Sequence, residues 1–401
     1  GINLRRLTTF AADTYGNDEC KKFWPHVLDK NKFDPVDDQL AARMHKAIAI
    51  MQFKLEGQLI KEHPEFDLDK RLLLDKIDFE NGTVNVEGTV YPLNDTFFPT
   101  IDPNNPYELT EDERAVMNSL SASIINSERL QTHIRYMFSH GALYKRINGN
   151  LLFHGCIPMD ENGDFLPVDI YGAKCAGRAL MDHLDKQIRA SYFSPEKIKK
   201  YGKPGDLMWY LWLAKDSPLF GKEKMTTFER LFIDDKASHK EHVRPYYKLI
   251  NSKEPCENIL REFGLDPSHS KILNGHVPVK IKNGESPIKG GGLLYVIDGG
   301  ISKAYQKQTG IAGYTFIFNS RFMALAEHKP YEPLREDGTQ KFFSPSMKTV
   351  DTLKTRMLVI DTDEGAELLR QAEAVKRLVE AYKTGEIKER PEGKYSAYKG
   401  K

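Results

Sequence analysis

The sequence predicts a layered α/β or α+β protein with a mostly helical N-terminal region. Two long segments before residue 145 carry apolar residues at helical spacing, whereas the chain after residue 146 contains apolar strands that end in glycine-rich loops. An amphipathic helical pattern returns near the C-terminus. We therefore predict three regions: a helical region over 1–145, a layered region over 146–335 with a helical insertion near 176–265, and a tail over 336–401.

The helical region is predicted to contain two long helices and one hairpin. Residues 35–63 repeat apolar side chains at helical spacing, and Pro35 with two following aspartates is typical of a helix start. In "GTVNVEGTVYPL", valines alternate around a glycine turn, as in a β-hairpin. Residues 109–144 predict the second long helix, and Thr110 and Glu113 have the spacing of a capping box at its start.

The layered region is predicted to consist of short apolar strands with helices between the first of them. The strand segments are "LLFHG", "KILNGHVPVK", "GGLLYVIDGG", "AGYTFIFNS" and "RFMALAEH". Helical patterns lie near 176–192, 227–234 and 255–263, and residues 364–382 predict the amphipathic helix of the tail. Loops at strand ends commonly carry function, so they are the first candidates for a site.

The composition excludes several classes of partner. The 401 residues carry 58 Lys and Arg against 57 Asp and Glu, so no overall field attracts nucleic acid or an anionic membrane. No apolar run approaches the roughly 20 residues that span a bilayer, and the first residues show no signal-peptide pattern. Four cysteines without CxxC spacing suit reduced thiols. The sequence therefore predicts a cytoplasmic protein with neither nucleic-acid nor membrane partners.

Two histidines stand at the ends of predicted strands. His154 in "LLFHGCIP" and His276 in "ILNGHVPVK" each lie beside a glycine where an apolar strand gives way to a loop. Imidazole is the commonest side-chain ligand of transition metals, and the glycine allows close approach of the backbone to an ion or a phosphate. We interpret the two histidines as metal ligands. The alternative is that each histidine only caps its strand.

A glycine-rich loop follows a third predicted strand. Asp298 ends that strand, Gly299 and Gly300 form a tight turn, and Lys303 and Tyr305 follow in the loop. Backbone amides beside a lysine can hold a phosphate oxygen, so this loop with Asp298, Lys303 and Tyr305 is a candidate anion-binding loop. The alternative is a glycine-rich turn with a solvated lysine.

A further candidate anion site lies in "FGKEKMTTFERLF". Lys222, Lys224 and Arg230 flank a predicted helix start at Thr226 or Thr227. A helix N-terminus with nearby cations can bind an anion. The alternative, which we favour, is a capped and charged surface helix.

These motifs together resemble the class III fructose-1,6-bisphosphatases of bacteria. The order "NGNLLFHGCIP", "MTTFER", "NGHVPVK" and "IDGGISKAYQKQTGIAGYT", preceded by "YGNDEC" and "HKAIAIMQFKLE", matches that family along essentially the whole chain. The family resembles the calcineurin-like metallophosphatases, so the likeness implies a two-sheet sandwich flanked by helices with metals at the sheet edges. It also implies that His154 and His276 bind metal and that Asp298, Lys303 and Tyr305 lie close to the site.

The resemblance implies a phosphoric monoester hydrolase of gluconeogenesis. Such an enzyme hydrolyses the 1-phosphate of fructose 1,6-bisphosphate to fructose 6-phosphate by a two-metal mechanism, and Mn²⁺ is the implied metal. A small-metabolite effector such as phosphoenolpyruvate and association into a homo-oligomer are compatible with the family.

The chain departs from the family pattern at its beginning. Family members carry GDLHG-, GDIYDRG- and GNHD-like motifs upstream of a "YGINLR" segment, and this sequence begins at "GINLR". We therefore expect the C-terminal portion of such an enzyme, with an incomplete sandwich, catalytic residues outside this sequence and no activity alone. Two other interpretations stay open: a non-catalytic sugar-phosphate-binding or assembly module, and another metallophosphoesterase of the same fold.

Overall fold

The helices of the computed structural model confirm most of the helical patterns in the sequence. The structure describes residues 2–16, 18–25, 37–193, 206–300, 302, 308–311, 313–329 and 346–388. Ten α-helices lie in these ranges: α1 (Arg5–Thr14), α2 (Asp38–Glu62), α3 (Glu111–Ile125), α4 (Glu128–His140), α5 (Gly177–Phe193), α6 (Leu207–Leu213), α7 (Thr227–Phe232), α8 (Tyr246–Leu249), α9 (Lys253–Glu262) and α10 (Asp363–Lys383).

The strands of the described residues form four separate sheets. They are β1 (Ile77–Asp78), β2 (Thr83–Val86), β3 (Thr89–Pro92), β4 (Tyr144–Ile147), β5 (Asn150–Phe153), β6 (Val168–Ile170), β7 (Ala173–Cys175), β8 (Ile272–Asn274), β9 (Ile288–Lys289), β10 (Leu294–Val296), β11 (Gly313–Phe318), β12 (Phe322–His328) and β13 (Ser346–Thr352). The sheet orders are β1-β2-β3, β4-β5-β8-β10-β9, β11-β12-β13 and β6-β7. The chain is therefore a mixed α/β protein; the two-sheet sandwich and the three predicted regions stay predictions.

Two compact units divide the described chain. The first comprises described residues within 1–145, 153–264 and 274–276, and the second comprises those within 146–152, 265–273 and 277–401. All five predicted strand segments are confirmed, as β5, β8, β10, β11 and β12. Helix α1 and the two short helices α6 and α8 were not predicted.

Helix α2 is the central element of the first unit. Asp37 begins it, because its carboxylate accepts hydrogen bonds from the N–H groups of Gln39 and Leu40, both at 3.0 Å. The predicted helix over 35–63 is thus confirmed from Asp38 onwards, and Pro35 lies outside the described residues. Phe53 on α2 packs against two phenylalanines of α7 within one buried core.

The predicted helix over 109–144 is wrong as a single element. The capping box is confirmed: Thr110 Oγ1 accepts from the Glu113 N–H at 3.2 Å, and the Glu113 carboxylate accepts from the Thr110 N–H at 2.8 Å. The helix ends at Ile125, however, and Ser127 takes an extended conformation before α4. Asn126 and Ser127 favour turns and caps because their side chains compete for backbone hydrogen bonds.

The predicted hairpin is confirmed as β2 and β3. Val86 pairs with Thr89 across a two-residue turn. The turn residues Glu87 and Gly88 have φ of 49° and 89°, as a type I′ turn requires of both its central residues.

Candidate metal centre

Strand topology brings His154 and His276 together. Strands β5 and β8 are parallel neighbours, with Leu151 opposite Ile272. Parallel neighbours end at the same sheet edge, where ligands usually bind in α/β proteins. The two histidines follow these ends, and both belong to the first unit. His154 Nε2 lies 3.1 Å from His276 Nδ1, and the ring centroids are 4.9 Å apart.

A backbone carbonyl fixes the orientation of His276. Its Nε2 lies 3.0 Å from the carbonyl oxygen of Phe220. A carbonyl oxygen only accepts, so Nε2 carries the proton and the lone pair of the neutral ring is on Nδ1, facing His154. The backbone of His276 has φ of 68°, in the left-handed region that is unfavourable for a histidine. Such conformations concentrate at functional sites because the surrounding structure must hold them.

The end of β5 is tied to neighbouring segments by close backbone contacts. A Cβ at Gly155 would lie 2.6 Å from the carbonyl oxygen of Pro218, so only glycine fits there. The next N–H, of Cys156, donates to the same oxygen at 2.9 Å. The buried Asn274 amide donates to the Gly155 carbonyl at 3.1 Å and to the Tyr246 hydroxyl at 2.8 Å. These contacts hold the two strand ends in a fixed relation.

The spacing of the two imidazole nitrogens fits two ligands of one metal ion. Nitrogen ligands about 2.1 Å from an ion and roughly at right angles to each other lie about 3 Å apart. A dinuclear phosphatase site also needs carboxylates. Among the described residues, the one group of three or more His, Cys, Asp or Glu side chains with metal-binding spacing lies elsewhere. The pair could therefore supply two nitrogen ligands, which is only part of such a site.

That other group, Glu62, His63 and Asp206, was missed in the sequence. His63 Nδ1 is 2.9 Å from a Glu65 oxygen and Nε2 is 2.8 Å from an Asp206 oxygen. Carboxylates only accept, so both ring nitrogens donate and the ring is a buried imidazolium, without a lone pair for a metal. Burial lowers the pKa of His63, but the hydrogen bonds to Glu65 and Asp206 outweigh it and place the pKa above its usual range. The ring also stacks on Phe66, with centroids 4.6 Å apart.

The predicted substrate loop is described only in part. Asp298 does not end the strand as predicted, because β10 stops two residues earlier at Val296; the Asp298 carboxylate accepts from the Gly300 N–H at 2.8 Å. Its carbonyl oxygen accepts from the Val279 N–H at 2.9 Å. Lys303 and Tyr305 lie outside the described residues.

The cations of the predicted anion site are paired with carboxylates. Lys222 lies 2.9 Å from Glu241, Lys224 lies 2.8 Å from Glu87, and Arg230 lies 3.6 Å from Glu241. Neutralised cations offer little charge to an anion, so the arrangement does not favour an anion site. The preferred alternative, a capped and charged surface helix, is wrong on two points: Phe228, Glu229 and Phe232 of α7 are buried, and the Thr226 side chain makes no capping hydrogen bond to α7.

Comparisons with known proteins agree on one family. The sequence profile of the Firmicute fructose-1,6-bisphosphatase family matches residues 1–384. The chain is similar to proteins named fructose-1,6-bisphosphatase class 3 from Clostridium tetani (52% identity), Clostridium acetobutylicum (51%) and Clostridium novyi (48%). Each match covers 97% of this chain and 58–59% of the relative.

The chain thus spans about three fifths of the length of these relatives. No solved structure shows a significant match. Within the described residues, every helix is too short or too polar to cross a membrane. A profile match over residues 1–384 of 401 is decisive, and the chain belongs to the Firmicute fructose-1,6-bisphosphatase family.

Proposed function

We propose that this chain is part of a fructose-1,6-bisphosphatase that hydrolyses the 1-phosphate of fructose 1,6-bisphosphate. The names of the relatives support the substrate. The observation that carries the proposal is the pair of imidazole nitrogens 3.1 Å apart at the ends of two parallel strands. A calcineurin-like sandwich, a gluconeogenic role and a cytoplasmic location belong to the same proposal and rest on the family resemblance.

In this proposal His154 and His276 are metal ligands. His276 binds through Nδ1, because Phe220 holds the proton on Nε2. His154 binds through Nε2 once its proton lies on Nδ1. Two bound divalent ions, for which we propose Mn²⁺, would supply Lewis-acid stabilisation of charge on the phosphoryl oxygens.

The remaining groups of the site are proposed to come from other parts of the enzyme. Carboxylates must complete the ion cage, and we assign them to residues outside this sequence, so the 401 residues alone are expected to be inactive. Asp298, Lys303 and Tyr305 are proposed to contact substrate, with the Lys303 ammonium neutralising a phosphate group. Regulation by a small metabolite such as phosphoenolpyruvate is part of the proposal, without an assigned site.

The first test compares this chain with the same chain extended upstream along its natural reading frame. Phosphate release from fructose 1,6-bisphosphate and bound manganese per chain are measured with Mn²⁺ supplied. We expect turnover and about two ions per chain only in the extended protein. Activity of the short chain would contradict the assignment of the missing ligands. Faster hydrolysis of a cyclic nucleotide or a phosphoprotein would favour another metallophosphoesterase, and tight sugar-phosphate binding without turnover would favour a binding module.

The second test removes the proposed ligands from the extended protein. His154→Ala and His276→Ala should each weaken Mn²⁺ binding at least tenfold, as titration followed by electron paramagnetic resonance would show. His133→Ala is the matched control, since this exposed histidine lies on α4. Unchanged Mn²⁺ affinity in both ligand variants would refute the metal centre.

A further inference from the structure

Among the described residues, hydrogen bonds attach helix α10 to the preceding segments at its first turn. The Thr362 hydroxyl accepts from the Gly365 N–H at 3.1 Å, which caps the helix. Asn148 and Asp363 exchange two hydrogen bonds, at 2.7 and 3.1 Å. A Cβ at Gly365 would lie 1.8 Å from the carbonyl oxygen of Val359, so the preceding turn packs directly on the helix backbone. The start of the helix therefore has a defined position within the second unit.

Beyond that turn the apolar face of α10 is uncovered. Leu368, Val375, Val379 and Tyr382 are 51%, 58%, 46% and 45% exposed. Gly365 is the one buried residue among the 21 of this helix. Isolated helices gain little stability in water, and most helical stability in proteins comes from packing an apolar face. A contiguous exposed apolar face on a helix therefore marks an interaction surface.

The apolar residues of this face follow the spacing of a coiled coil. They recur at alternating intervals of four and three, and we call these five positions the α10 seam: Leu368, Ala372, Val375, Val379 and Tyr382. This is the spacing of the core positions of a heptad repeat, whose side chains pack between those of a facing helix. The small Ala372 near the middle allows a facing helix to approach closely.

The charges of α10 select the orientation of a facing helix. Residues 363–370 carry three carboxylates and one arginine, whereas residues 376–383 carry two lysines, one arginine and one glutamate. A second α10 in antiparallel orientation places the acidic half of each helix beside the basic half of the other. The two helix dipoles then point in opposite directions, which is electrostatically favourable. A parallel pair would place like halves together. One surface that complements itself about a twofold axis is the commonest interface of homo-oligomers.

We propose that α10 binds α10 of a second copy of this chain as an antiparallel pair. When the two α10 seams pack against each other in this orientation, Leu368 packs against Val379 of the second copy and Ala372 packs against Val375 of the second copy. The short seam predicts a dimer that dissociates on dilution. This inference does not depend on metal binding or on the proposed activity.

The test of the interface is sedimentation velocity over a dilution series of the wild-type chain and two variants. Val375→Glu places a carboxylate in the seam, and Ala374→Glu places the same carboxylate on the neighbouring residue, outside the seam. We expect concentration-dependent dimers for the wild type and Ala374→Glu, and at least tenfold weaker association for Val375→Glu. A monomeric wild type at all concentrations, or equal association of all three proteins, would overturn the proposal. Circular dichroism confirms that each variant is folded.

The orientation is tested by disulfide formation between cysteine variants. A mixture of Leu368→Cys and Val379→Cys chains should form a crosslinked dimer, because an antiparallel pair brings these positions together. Either variant alone should crosslink far less. Efficient crosslinking of Leu368→Cys with itself would show a parallel pair, and crosslinking no better than that of Ala374→Cys would show that the seam is not the contact.

Discussion

Polar groups on and just after α2 differ from the histidine pair at the sheet edge in their burial and in the charge of their partners. The fully buried Lys54 ammonium lies 2.7 Å from the equally buried Glu113 carboxylate, and His63 donates from both ring nitrogens to carboxylates. At the sheet edge, His154 and His276 face each other, and no metal-binding cluster of the described residues includes them. Buried cations held by carboxylates therefore stabilise the fold, whereas two imidazole nitrogens that face each other at a sheet edge suit a ligand.

The largest effect is expected from breaking the buried ion pair. Lys54→Met leaves the Glu113 carboxylate buried without its cation, and loss of one partner of such a pair costs about 3–5 kcal/mol. Urea unfolding measures this loss in the free energy of unfolding.

A matched double variant separates the lost pair from the lost packing. Glu113→Gln removes the remaining charge and keeps an oxygen that can accept from the Thr110 N–H. Lys54→Met with Glu113→Gln should therefore recover part of the stability. A single Lys54→Met variant as stable as the wild type would show that the pair contributes nothing.

A smaller effect, dependent on pH, is expected from His63. The pKa of His63 is raised in the folded chain. Its contribution to the free energy of unfolding is therefore fully present below the unfolded pKa of about 6.5 and is lost as the pH rises through the folded pKa. His63→Gln should lower the free energy of unfolding by about 1.5–3 kcal/mol at pH 6 and by less at pH 9. Urea unfolding at both pH values tests this sign. If His63→Gln lost more stability at pH 9 than at pH 6, the assignment of His63 as an imidazolium would be wrong.

The smallest effect on stability is expected at the proposed metal ligand. His154 is exposed, and its ring bonds to His276, so His154→Ala should change the free energy of unfolding in the absence of metal by less than about 1 kcal/mol. The same substitution should reduce the stabilisation by added Mn²⁺ in the extended protein, by about 1.4 kcal/mol for each tenfold loss of affinity. A large loss without metal would mean that His154 is a structural strand cap, the alternative interpretation of the sequence.

Local patterns predicted the longest helix, the hairpin, five of the strands and the histidine pair. The strand endings at His154 and His276 could be recognised because an imidazole after an apolar run is conspicuous, and the parallel pairing of β5 and β8 then brought the two together. Helix α6, "LMWYLWL", was not recognised because a short apolar run has no periodicity that distinguishes a helix from a strand.

Contacts between residues far apart in the chain could not be predicted from local sequence patterns. Asp206 follows His63 by 143 residues, and no local pattern indicates that they meet. The break at Asn126 and Ser127 was missed because the apolar spacing continues through it, although both residues favour turns.

The left-handed backbone of His276 has an evolutionary consequence. A residue with a side chain held at φ of 68° costs about 1–2 kcal/mol relative to its preferred conformation, whereas glycine adopts it freely. Selection for stability alone would therefore favour glycine at this position. In a lineage that has lost the proposed metal centre, position 276 is where we expect histidine to disappear first.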